Sequence, residues 1–447
     1  MNLVYFVDFL RTFSLYELSS IPMDITLRNQ LADLMKREVV VATGCTEPGA
    51  VALCVTKARE TLGCMPDSVE LRLSKNVFKN AMGVGIPGTG MIGLPIAVAM
   101  ALCGGDSSKG LQVLSQDTAQ VQEAKKWLAN HTTSIKIGVE NSSEKLYIKC
   151  ICFHGDDQAK AVIARQHSHF VYIARNNDVQ LDITKECKAD TAAEAVCEPR
   201  LTAQMVYDFA TTAPIEELQF IRETVRLNKA ASDEGLRGYG LNAGRILMED
   251  AGDDIVHQVV ARTVAASDAR MDGCTLPIYS NSGSGNQGIT CTLPVYEYGT
   301  LKHCSDEQIT RALILSHLMS IYIKRGIGRL SALCGIVNAS MGVASGLTYL
   351  RGGDLQQISF AIKNMINTIT GMVCDGAKPS CALKIATGLY TAFVSSRLAV
   401  NGYTVNPTDG ISETDVDRSI SSLCRLGHDG MDETDDMILD IMTNKKN

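Results

Sequence analysis

Two cysteines in the C-terminal part of the chain have a spacing that could bind iron. They lie seven residues apart in Cys374-Asp-Gly-Ala-Lys-Pro-Ser-Cys381, and Gly376 and Pro379 make this segment a loop. Cys334 lies 40 residues upstream, after a helical run. Three thiolates brought to one place on a cubane cluster would leave one iron without a protein ligand, and that iron can act as a Lewis acid. Any one of these cysteines could instead be a buried packing residue.

Cys45 is a fourth cysteine whose surroundings favour chemistry. It lies in the turn Gly44-Cys-Thr-Glu-Pro48, between two segments with helical hydrophobic spacing. A thiol at a helix N-terminus has a lowered pKa, because the helix dipole favours the thiolate. Cys45 is therefore a candidate for a reactive thiol. The other cysteines are interpreted as packing or surface residues, as a strand pair without a matching second pair, or as ambiguous neighbours of a glycine segment: Cys54, Cys64, Cys103, Cys187, Cys197, Cys304 and Cys424; Cys150 and Cys152; Cys274 and Cys291.

The composition is typical of a globular protein and excludes some function classes. Of 447 residues, 45% are apolar and 20% are charged, which predicts a sizeable core. Fifteen irregularly spaced cysteines in a long chain argue against a disulfide scaffold and favour reduced thiols in the cytoplasm. A net charge of −7 without a dense Lys/Arg run disfavours nucleic acid and anionic membranes as partners. We expect a small-molecule substrate and a protein that could form a homo-oligomer.

The first 23 residues are apolar in places but also carry Asp8, Arg11 and Glu17. They lack the basic start and the uninterrupted apolar stretch of a signal peptide or a membrane span. We predict a helical arm, or an extension upstream of a functional start near Met23. No other segment has 18 consecutive apolar residues without a charge.

Hydrophobic spacing predicts an α+β fold that is mainly helical and carries a smaller α/β insertion. Helices are predicted at 25–42, 49–63, 115–129, 215–228, 240–265, 306–324, 327–346, 354–372, 380–398 and 414–425. Strands are predicted at 69–73, 134–139, 145–153 and 162–174. The change in predicted secondary structure along the chain divides it into three parts. These are the arm 1–23, a helical catalytic domain formed by 24–109 and 201–447, and an α+β insertion at 110–200.

Two glycine segments match the dinucleotide fingerprint, Gly83-Val-Gly85-Ile-Pro-Gly88 and Gly283-Ser-Gly285-Asn-Gln-Gly288. A nucleotide site needs a strand leading in and a helix leading out. The first segment follows no strand, and the second runs into 289–294, which is predicted not to be helical. We therefore expect no nucleotide site, but glycines that allow a backbone to approach a ligand closely.

Several ordered blocks together resemble the L-cysteine desulfidase family, whose C-terminal half is a serine dehydratase-like alpha-subunit domain. The resemblance runs from about residue 30 to 430. Its blocks are Gly44-Cys-Thr-Glu-Pro48, Ser74-Lys-Asn-Val-Phe-Lys-Asn80, Val84-Gly-Ile-Pro-Gly-Thr-Gly-Met-Ile-Gly-Leu-Pro95, Ala265-Ala-Ser-Asp-Ala-Arg-Met271, Ser280-Asn-Ser-Gly-Ser-Gly-Asn-Gln-Gly-Ile-Thr290, Arg329-Leu-Ser-Ala-Leu-Cys334 and Gly371-Met-Val-Cys-Asp-Gly-Ala-Lys378 with Ser380-Cys381.

The resemblance implies a [4Fe–4S] enzyme that converts L-cysteine to pyruvate, ammonia and sulfide. It implies Cys334, Cys374 and Cys381 as cluster ligands. The loop between the last two cysteines is shorter than in the related serine dehydratases, so Cys45 competes with Cys381 for the third place. Three ligands leave one iron open, whereas four would close the site unless substrate displaces one of them.

β-Elimination requires a base for the α-proton of the substrate. The candidate bases are Cys45, Lys79, Lys378 and His317, although His317 lies on an apolar helix and could be a core histidine. The candidate contacts to the substrate carboxylate or amine are Asn76, Asn80, Thr89, Asn286 and Gln287. No motif for a pyridoxal phosphate Schiff-base lysine is evident.

Three alternatives stay open from the sequence. The same machinery could act on L-serine or another β-substituted amino acid. A non-catalytic cluster protein, such as a redox or iron sensor, would have every cluster corner bound by protein. The cysteines could also bind zinc structurally, although paired C-x-x-C knuckles are absent.

Overall fold

The computed structural model describes residues 23–142, 144–184, 199–328 and 330–445. The predicted N-terminal arm lies outside these residues except for Met23. The chain is mainly helical with a six-stranded mixed sheet, which confirms the predicted α+β class. No helix in the described part is long and apolar enough to span a membrane.

The helices account for most of the chain. In the first half they are α1 (Ile25–Glu38), α2 (Thr46–Leu62), α3 (Lys75–Ala81), α4 (Leu94–Gly104) and α5 (Thr118–His131). The second half begins with α6 (Ala203–Thr212), α7 (Ile215–Leu218), α8 (Glu223–Gly235), α9 (Ala243–Ala251), α10 (Ile255–Met271) and α11 (Gly285–Leu301). It ends with α12 (Asp306–Ile327), α13 (Gly335–Leu350), α14 (Leu355–Ile369), α15 (Cys381–Val400), α16 (Val416–His428) and α17 (Asp432–Thr443).

Local side-chain chemistry fixes several helix starts. Ser305 begins α12 with a capping box, in which its hydroxyl accepts from the backbone of Gln308 and the Gln308 side chain accepts from the backbone of Ser305. At a helix C-terminus, Gly63 caps α2 with a φ of +84°, a conformation that favours glycine.

The main sheet consists of six strands, β2 (Ser68–Leu73), β5 (Ile135–Val139), β6 (Tyr147–His154), β7 (Asp157–Ala164), β8 (Phe170–Arg175) and β9 (Asp178–Asp182). Their order across the sheet is β5-β2-β6-β7-β8-β9. Only the β2–β5 pair is parallel. Two-residue strands form two further ladders, β1 (Val41–Ala42) with β10 (Ile278–Tyr279), and β3 (Gly85–Ile86) with β4 (Met91–Ile92).

Two large hydrophobic cores organise the chain. One core joins α1 to most helices from α6 onward. The other joins α2, α4 and α5 to one face of the sheet. Residues 46–104 therefore share a core with strands of the segment 135–175, while the boundaries predicted at 110 and 200 stay a prediction.

Four element predictions are corrected by the structure. The strand predicted at 162–174 is two strands, because the chain turns at Arg165 with a φ of +71°. The helix predicted at 240–265 is interrupted at Gly252, where φ is +48°. The helix predicted at 327–346 begins only at Gly335, because the preceding residues pair with another segment. Residues 289–294 are helical, contrary to the prediction, since they lie within α11.

Candidate active site

Cys334 and Cys374 lie on neighbouring extended segments. The backbone N–H of Cys334 donates to the carbonyl of Met372 at 3.0 Å, and the N–H of Cys374 donates to the carbonyl of Ala332 at 2.6 Å. These two bonds flank a short antiparallel β-bridge. The first segment ends at Cys334, which is the N-cap of α13. Backbone pairing thus joins two cysteines that are 40 residues apart in sequence.

Cys381 is the first residue of α15 and lies near both of these thiols. Burial raises the pKa of Cys334 to about 12, and negative charge on Cys374 and on Cys381 contributes to the rise. Burial likewise raises the pKa of Cys381, with a contribution from Cys374. Thiols whose charges act on one another in this way occupy one neighbourhood.

A lysine lies beside the three thiols and was not singled out from the sequence. The ammonium of Lys384 donates to the carbonyl of Val373 at 2.8 Å and to the carboxylate of Asp375 at 2.5 Å. Its positive charge acts against the raised pKa of Cys334 and of Cys381. Lys384 therefore supplies positive charge where several thiolates would meet.

Cys45 is the N-cap of α2 and pairs with a carboxylate. Its thiol donates to Glu47 Oε2 at 3.1 Å, and the Asn80 amide donates to Glu47 Oε1 at 3.0 Å. Burial raises the pKa of Cys45 above its ordinary value, and the charge of Glu47 raises it further. The thiolate expected from a helix N-terminus is thus outweighed, and the proton stays on sulfur.

The pKa of Glu47 is shifted in the opposite direction. Burial favours its protonated form, but the charge of His167 and the hydrogen bond from Cys45 outweigh burial. The hydrogen bond from Asn80 acts in the same direction. The pKa of Glu47 therefore lies below its ordinary value, and the pair holds a protonated sulfur against an ionised carboxylate.

Several helix N-termini meet at this place. The Thr46 hydroxyl, at the start of α2, donates to the carbonyl of Gly283 at 3.0 Å, just before α11. Gln287, in the first turn of α11, lies against Gly335, so that a Cβ on Gly335 would be 2.7 Å from the Gln287 amide nitrogen. Cys381 contributes the N-terminus of α15. N-termini carry partial positive charge, so their convergence favours anions.

Arg270 is a second charged residue that the sequence reasoning passed over. It lies in the last turn of α10, with 6% of its surface exposed. Its Nη1 donates to Asn286 Oδ1 at 3.1 Å, while its Nε is buried without a hydrogen-bond partner. Arg270 and Glu47 both lie within the sequence blocks that resemble the desulfidases. Only their tertiary contacts distinguish them from ordinary surface charges.

The candidate substrate contacts are placed unevenly. Asn80 is held by Glu47, and its Oδ1 is buried without a partner. Asn76 lies one turn earlier on α3 and is half-buried. Asn286 contacts Arg270, and the side-chain amides of Gln287 and Asn338 lie 2.7 Å apart. The fifth candidate is placed differently.

Thr89 is occupied within its own turn. Its hydroxyl donates to the carbonyl of Ile86 at 2.7 Å and accepts from the N–H of Met91 at 3.0 Å. These bonds close the β3–β4 hairpin, so the hydroxyl has a structural task there.

Three candidate bases have other partners. Lys79 is 2% exposed and forms an ion pair with Asp435 on α17. Lys378 forms an ion pair with Asp375 inside the cysteine loop. The third candidate, His317, lies in the helical core.

Both ring nitrogens of His317 have hydrogen-bond partners. Nδ1 lies 3.1 Å from the Asn281 amide nitrogen, and Nε2 lies 3.0 Å from the Thr292 hydroxyl. Burial lowers the pKa of His317 to about 3. Its surroundings are those of a neutral core histidine, which was the alternative interpretation from the sequence.

A cavity of about 190 Å³ opens beside the Cys45 turn. Gly44, Thr46, Gly283, His167 and Ser168 are among the residues that line it. Its lining therefore includes both residues of the Thr46–Gly283 contact and the two sequence neighbours of Cys45.

The donor set can be compared with the needs of a metal group. In the described residues, no three His, Cys, Asp or Glu side chains converge at the distances of a single metal ion. A cubane cluster is larger, and its thiolates bind separate iron atoms. Three neighbouring thiols with a lysine beside them fit a cluster of that kind.

A family model described as the serine dehydratase alpha chain matches residues 108–440, which is more than half of this chain. The chain belongs to the serine dehydratase alpha chain family. The match includes Cys334, Cys374 and Cys381 as well as Arg270. Membership of this family supports a lyase-type enzyme, of the ammonia-lyase kind.

Relatives within the family are similar over almost their whole length. A UPF0597 protein of Phocaeicola vulgatus is 52% identical, over 94% of this chain and 98% of its own. A UPF0597 protein of Porphyromonas gingivalis is 46% identical, over 95% of this chain and 100% of its own. A UPF0597 protein of Oleidesulfovibrio alaskensis is 42% identical, over 93% and 97%.

Proposed function

We propose that this protein is an iron–sulfur-dependent L-cysteine desulfidase. The reaction is a β-elimination in which L-cysteine loses hydrogen sulfide to give aminoacrylate, and water then converts aminoacrylate to pyruvate and ammonia. The observation that carries the proposal is the backbone pairing that joins Cys334 to Cys374, with Cys381 near enough for its charge to act on Cys334. The resemblance to desulfidases supports cysteine as the substrate, and the lyase family supports the class of reaction.

Cys334, Cys374 and Cys381 would hold a [4Fe–4S] cluster. A cluster held by three thiolates supplies an iron with an open position, which can act as a Lewis acid. The N-termini of α13 and α15 and the ammonium of Lys384 favour the ionised sulfurs in this place. The residues of the chain thereby offset the repulsion between neighbouring thiolates.

Glu47 would take the α-proton. It is the ionised member of the pair, so it accepts the α-proton from the substrate, while the Cys45 thiol donates to Glu47 Oε2 and helps to orient the carboxylate. Asn80 holds the other oxygen of Glu47 and fixes its orientation. The proton on Glu47 can pass to the sulfide that leaves, so the protons balance over the reaction. If Cys45 instead served as a fourth cluster ligand, Glu47 would lose this hydrogen bond and remain the base.

The side-chain amides near this pair would orient the substrate. Asn80 has a buried and unpartnered Oδ1 that could accept from the substrate ammonium. Asn286 and Gln287 lie in the first turn of α11, and Gly283 just before this helix accepts from Thr46, the residue after Cys45. We assign Lys79, Lys378 and His317 to structural roles, because each is engaged elsewhere.

L-Serine is the second candidate substrate, and the name of the family favours it. Hydroxide is a poorer leaving group than sulfide, so serine needs stronger assistance at its β-substituent. Cysteine loses hydrogen sulfide and serine loses water, and both give the same aminoacrylate intermediate. They can therefore be separated by the group released together with pyruvate.

The test is anaerobic purification and reconstitution with iron and sulfide, followed by assays with L-cysteine and with L-serine. We expect a brown protein that releases pyruvate and sulfide from cysteine at a much higher kcat/KM than it releases pyruvate from serine. Faster turnover of serine would refute the desulfidase. A reconstituted protein without iron, or a protein with a complete cluster and no lyase activity on either substrate, would refute the lyase.

A further inference from the structure

Arg270 is a buried cation without a carboxylate partner in the described part of the chain. No Asp or Glu oxygen of these residues lies within 4.0 Å of its guanidinium. Its hydrogen bond goes to the neutral amide of Asn286, and its Nη1 otherwise lies 3.9 Å from the sulfur of Met271. Burying a charge without an ionic partner is costly, which points to a partner that the described residues do not supply.

The guanidinium of Arg270 lies on the first residue of α11. A Cβ on Gly285 would be 2.1 Å from Arg270 Nε and 2.6 Å from its central carbon, so only glycine fits there. The N–H groups of Gly285 and Asn286 have no acceptor among the described residues, as is usual for the first turn of a helix. Two positive features, a guanidinium and a helix N-terminus, therefore lie side by side, and such an arrangement is stabilised by an anion that binds to both.

Arg270 also ends α10, where a positive charge interacts favourably with the helix dipole. That interaction offsets part of the cost of burial. It gives no acceptor to Nε, which remains buried and unpaired. The position at a helix C-terminus therefore does not account for the whole environment of the guanidinium.

Arg270 lies beside the proposed reaction site. Cys45 and Met271, the residue next to Arg270, belong to one small apolar cluster, and Cys381 packs against it. The charge of Arg270 also acts on Cys45, where it opposes the rise in thiol pKa that burial causes. An anion on Arg270 would thus be near the thiol–carboxylate pair Cys45–Glu47.

We propose that Arg270 and the N-terminus of α11 bind the α-carboxylate of the amino-acid substrate. The inference rests on the proposed lyase function, and it makes Arg270 the residue that selects amino acids over simple thiols and amines. A planar guanidinium binds a carboxylate through two parallel hydrogen bonds, and the Nε edge that lacks a partner can donate one of them. The carboxylate on Arg270 places the α- and β-carbons towards Cys45 and the cysteine trio.

The test compares two thiols that differ in their charged end. 3-Mercaptopropionate carries a carboxylate and no amine, while cysteamine carries an amine and no carboxylate. Their binding to the anaerobically reconstituted protein is measured by calorimetry, and their competition with L-cysteine is measured kinetically. For Arg270→Met we expect affinity for 3-mercaptopropionate to fall about 100-fold, because a buried charge pair loses one member. Affinity for cysteamine should change less than about threefold.

Two further variants keep the test decisive. Arg270→Lys retains the positive charge and should fold even where the Met variant does not. Its affinity for 3-mercaptopropionate should fall about tenfold, because the planar guanidinium that makes two parallel hydrogen bonds is gone. Arg262→Met is the matched control, since Arg262 lies on the same helix but pairs with Asp233 and Glu297 at the surface. It should leave both affinities unchanged.

Equal losses for both ligands in Arg270→Met and Arg270→Lys would mean a purely structural residue and would overturn the inference. Unchanged affinity for 3-mercaptopropionate would overturn it as well. A wild-type protein that binds 3-mercaptopropionate through Arg270 but turns over no amino acid would refute the lyase while keeping the carboxylate site. The failure of either proposal is thus visible separately.

Discussion

Two groups of three cysteines in this molecule have the same residue type and different surroundings. Cys54, Cys150 and Cys152 are fully buried between α2 and the sheet. The Cys54 thiol lies 3.3 Å from the carbonyl of Ala161, and the other two sulfurs are 3.9 Å apart on one face of β6. Burial raises the pKa of Cys54 and of Cys150, and no cation contributes to either shift.

The other group consists of Cys334, Cys374 and Cys381, which lie at helix starts and in a loop rather than in a sheet. Lys384 and the helix N-termini supply positive charge to it. The comparison teaches that the number and proximity of cysteines do not indicate chemistry by themselves. Positive charge at the sulfurs is what distinguishes the second group.

The largest difference between the two groups is expected in iron binding, when one cysteine of each group is replaced. Cys374→Ser should abolish cluster binding and lower turnover of L-cysteine by more than about 100-fold, since even changes outside the ligand shell cost 10–100-fold. Cys152→Ser, the matched replacement in the sheet, should keep its iron and lose about 1 kcal/mol of unfolding free energy. Iron and acid-labile sulfide content are measured after anaerobic reconstitution. Equal iron loss in both variants would break the comparison.

The next largest effect concerns the carboxylate beside Cys45. Glu47→Gln keeps the size of the side chain but removes the proton acceptor, so kcat should fall about 100-fold with little change in KM. Glu60→Gln, at the other end of α2 and bound to Ser107, is the control and should leave kcat unchanged. Steady-state pyruvate release gives both constants. Full activity of Glu47→Gln would remove Glu47 from the proton path.

A third effect concerns the support beneath the cysteine loop. Gly376 lies against the backbone of Lys79, whose ammonium is paired with Asp435 in a buried site. Asp435→Asn should lower the unfolding free energy by about 3 kcal/mol, because a buried charge loses its partner. Asp436→Asn removes only the exposed pair with Lys75 and should cost less than about 1 kcal/mol. Chemical denaturation measures both, and equal costs would contradict the assignment.

The smallest effect is a pH dependence from the helical core. The pKa of His317 is about 3 in the folded protein and near 6.5 when exposed, so only the unfolded chain takes up a proton between these values. Stability should therefore fall as the pH drops below 6.5, by about 2 kcal/mol at pH 5 from this residue. His317→Gln should remove that part of the slope. Identical slopes for the two proteins would show that His317 does not remain neutral.

Much of the fold could be predicted from the sequence because its periodic segments are long. Val69, Leu71 and Leu73 alternate with polar residues, and all three are buried in β2. Helix α11 was missed because residues 289–294 include Thr and Pro, which disfavour helices locally. Burial of almost the whole segment overrides that preference.

The candidate site could be predicted only in part, for a physical reason. The spacing of Cys374 and Cys381, and the resemblance that joins Cys334 to them, are properties of the sequence. Glu47 and Arg270 look like ordinary charged residues until their partners are known. Lys79 and His317 drew attention as residue types, but the groups that engage them come from distant segments.

The most direct test of the central claim is Mössbauer spectroscopy of protein reconstituted with ⁵⁷Fe, recorded with and without L-cysteine. Three protein thiolates predict that one iron in four differs from the rest and that its signal changes when L-cysteine is added. Four equivalent irons that do not respond to L-cysteine would contradict the account, and so would a protein that binds no cluster.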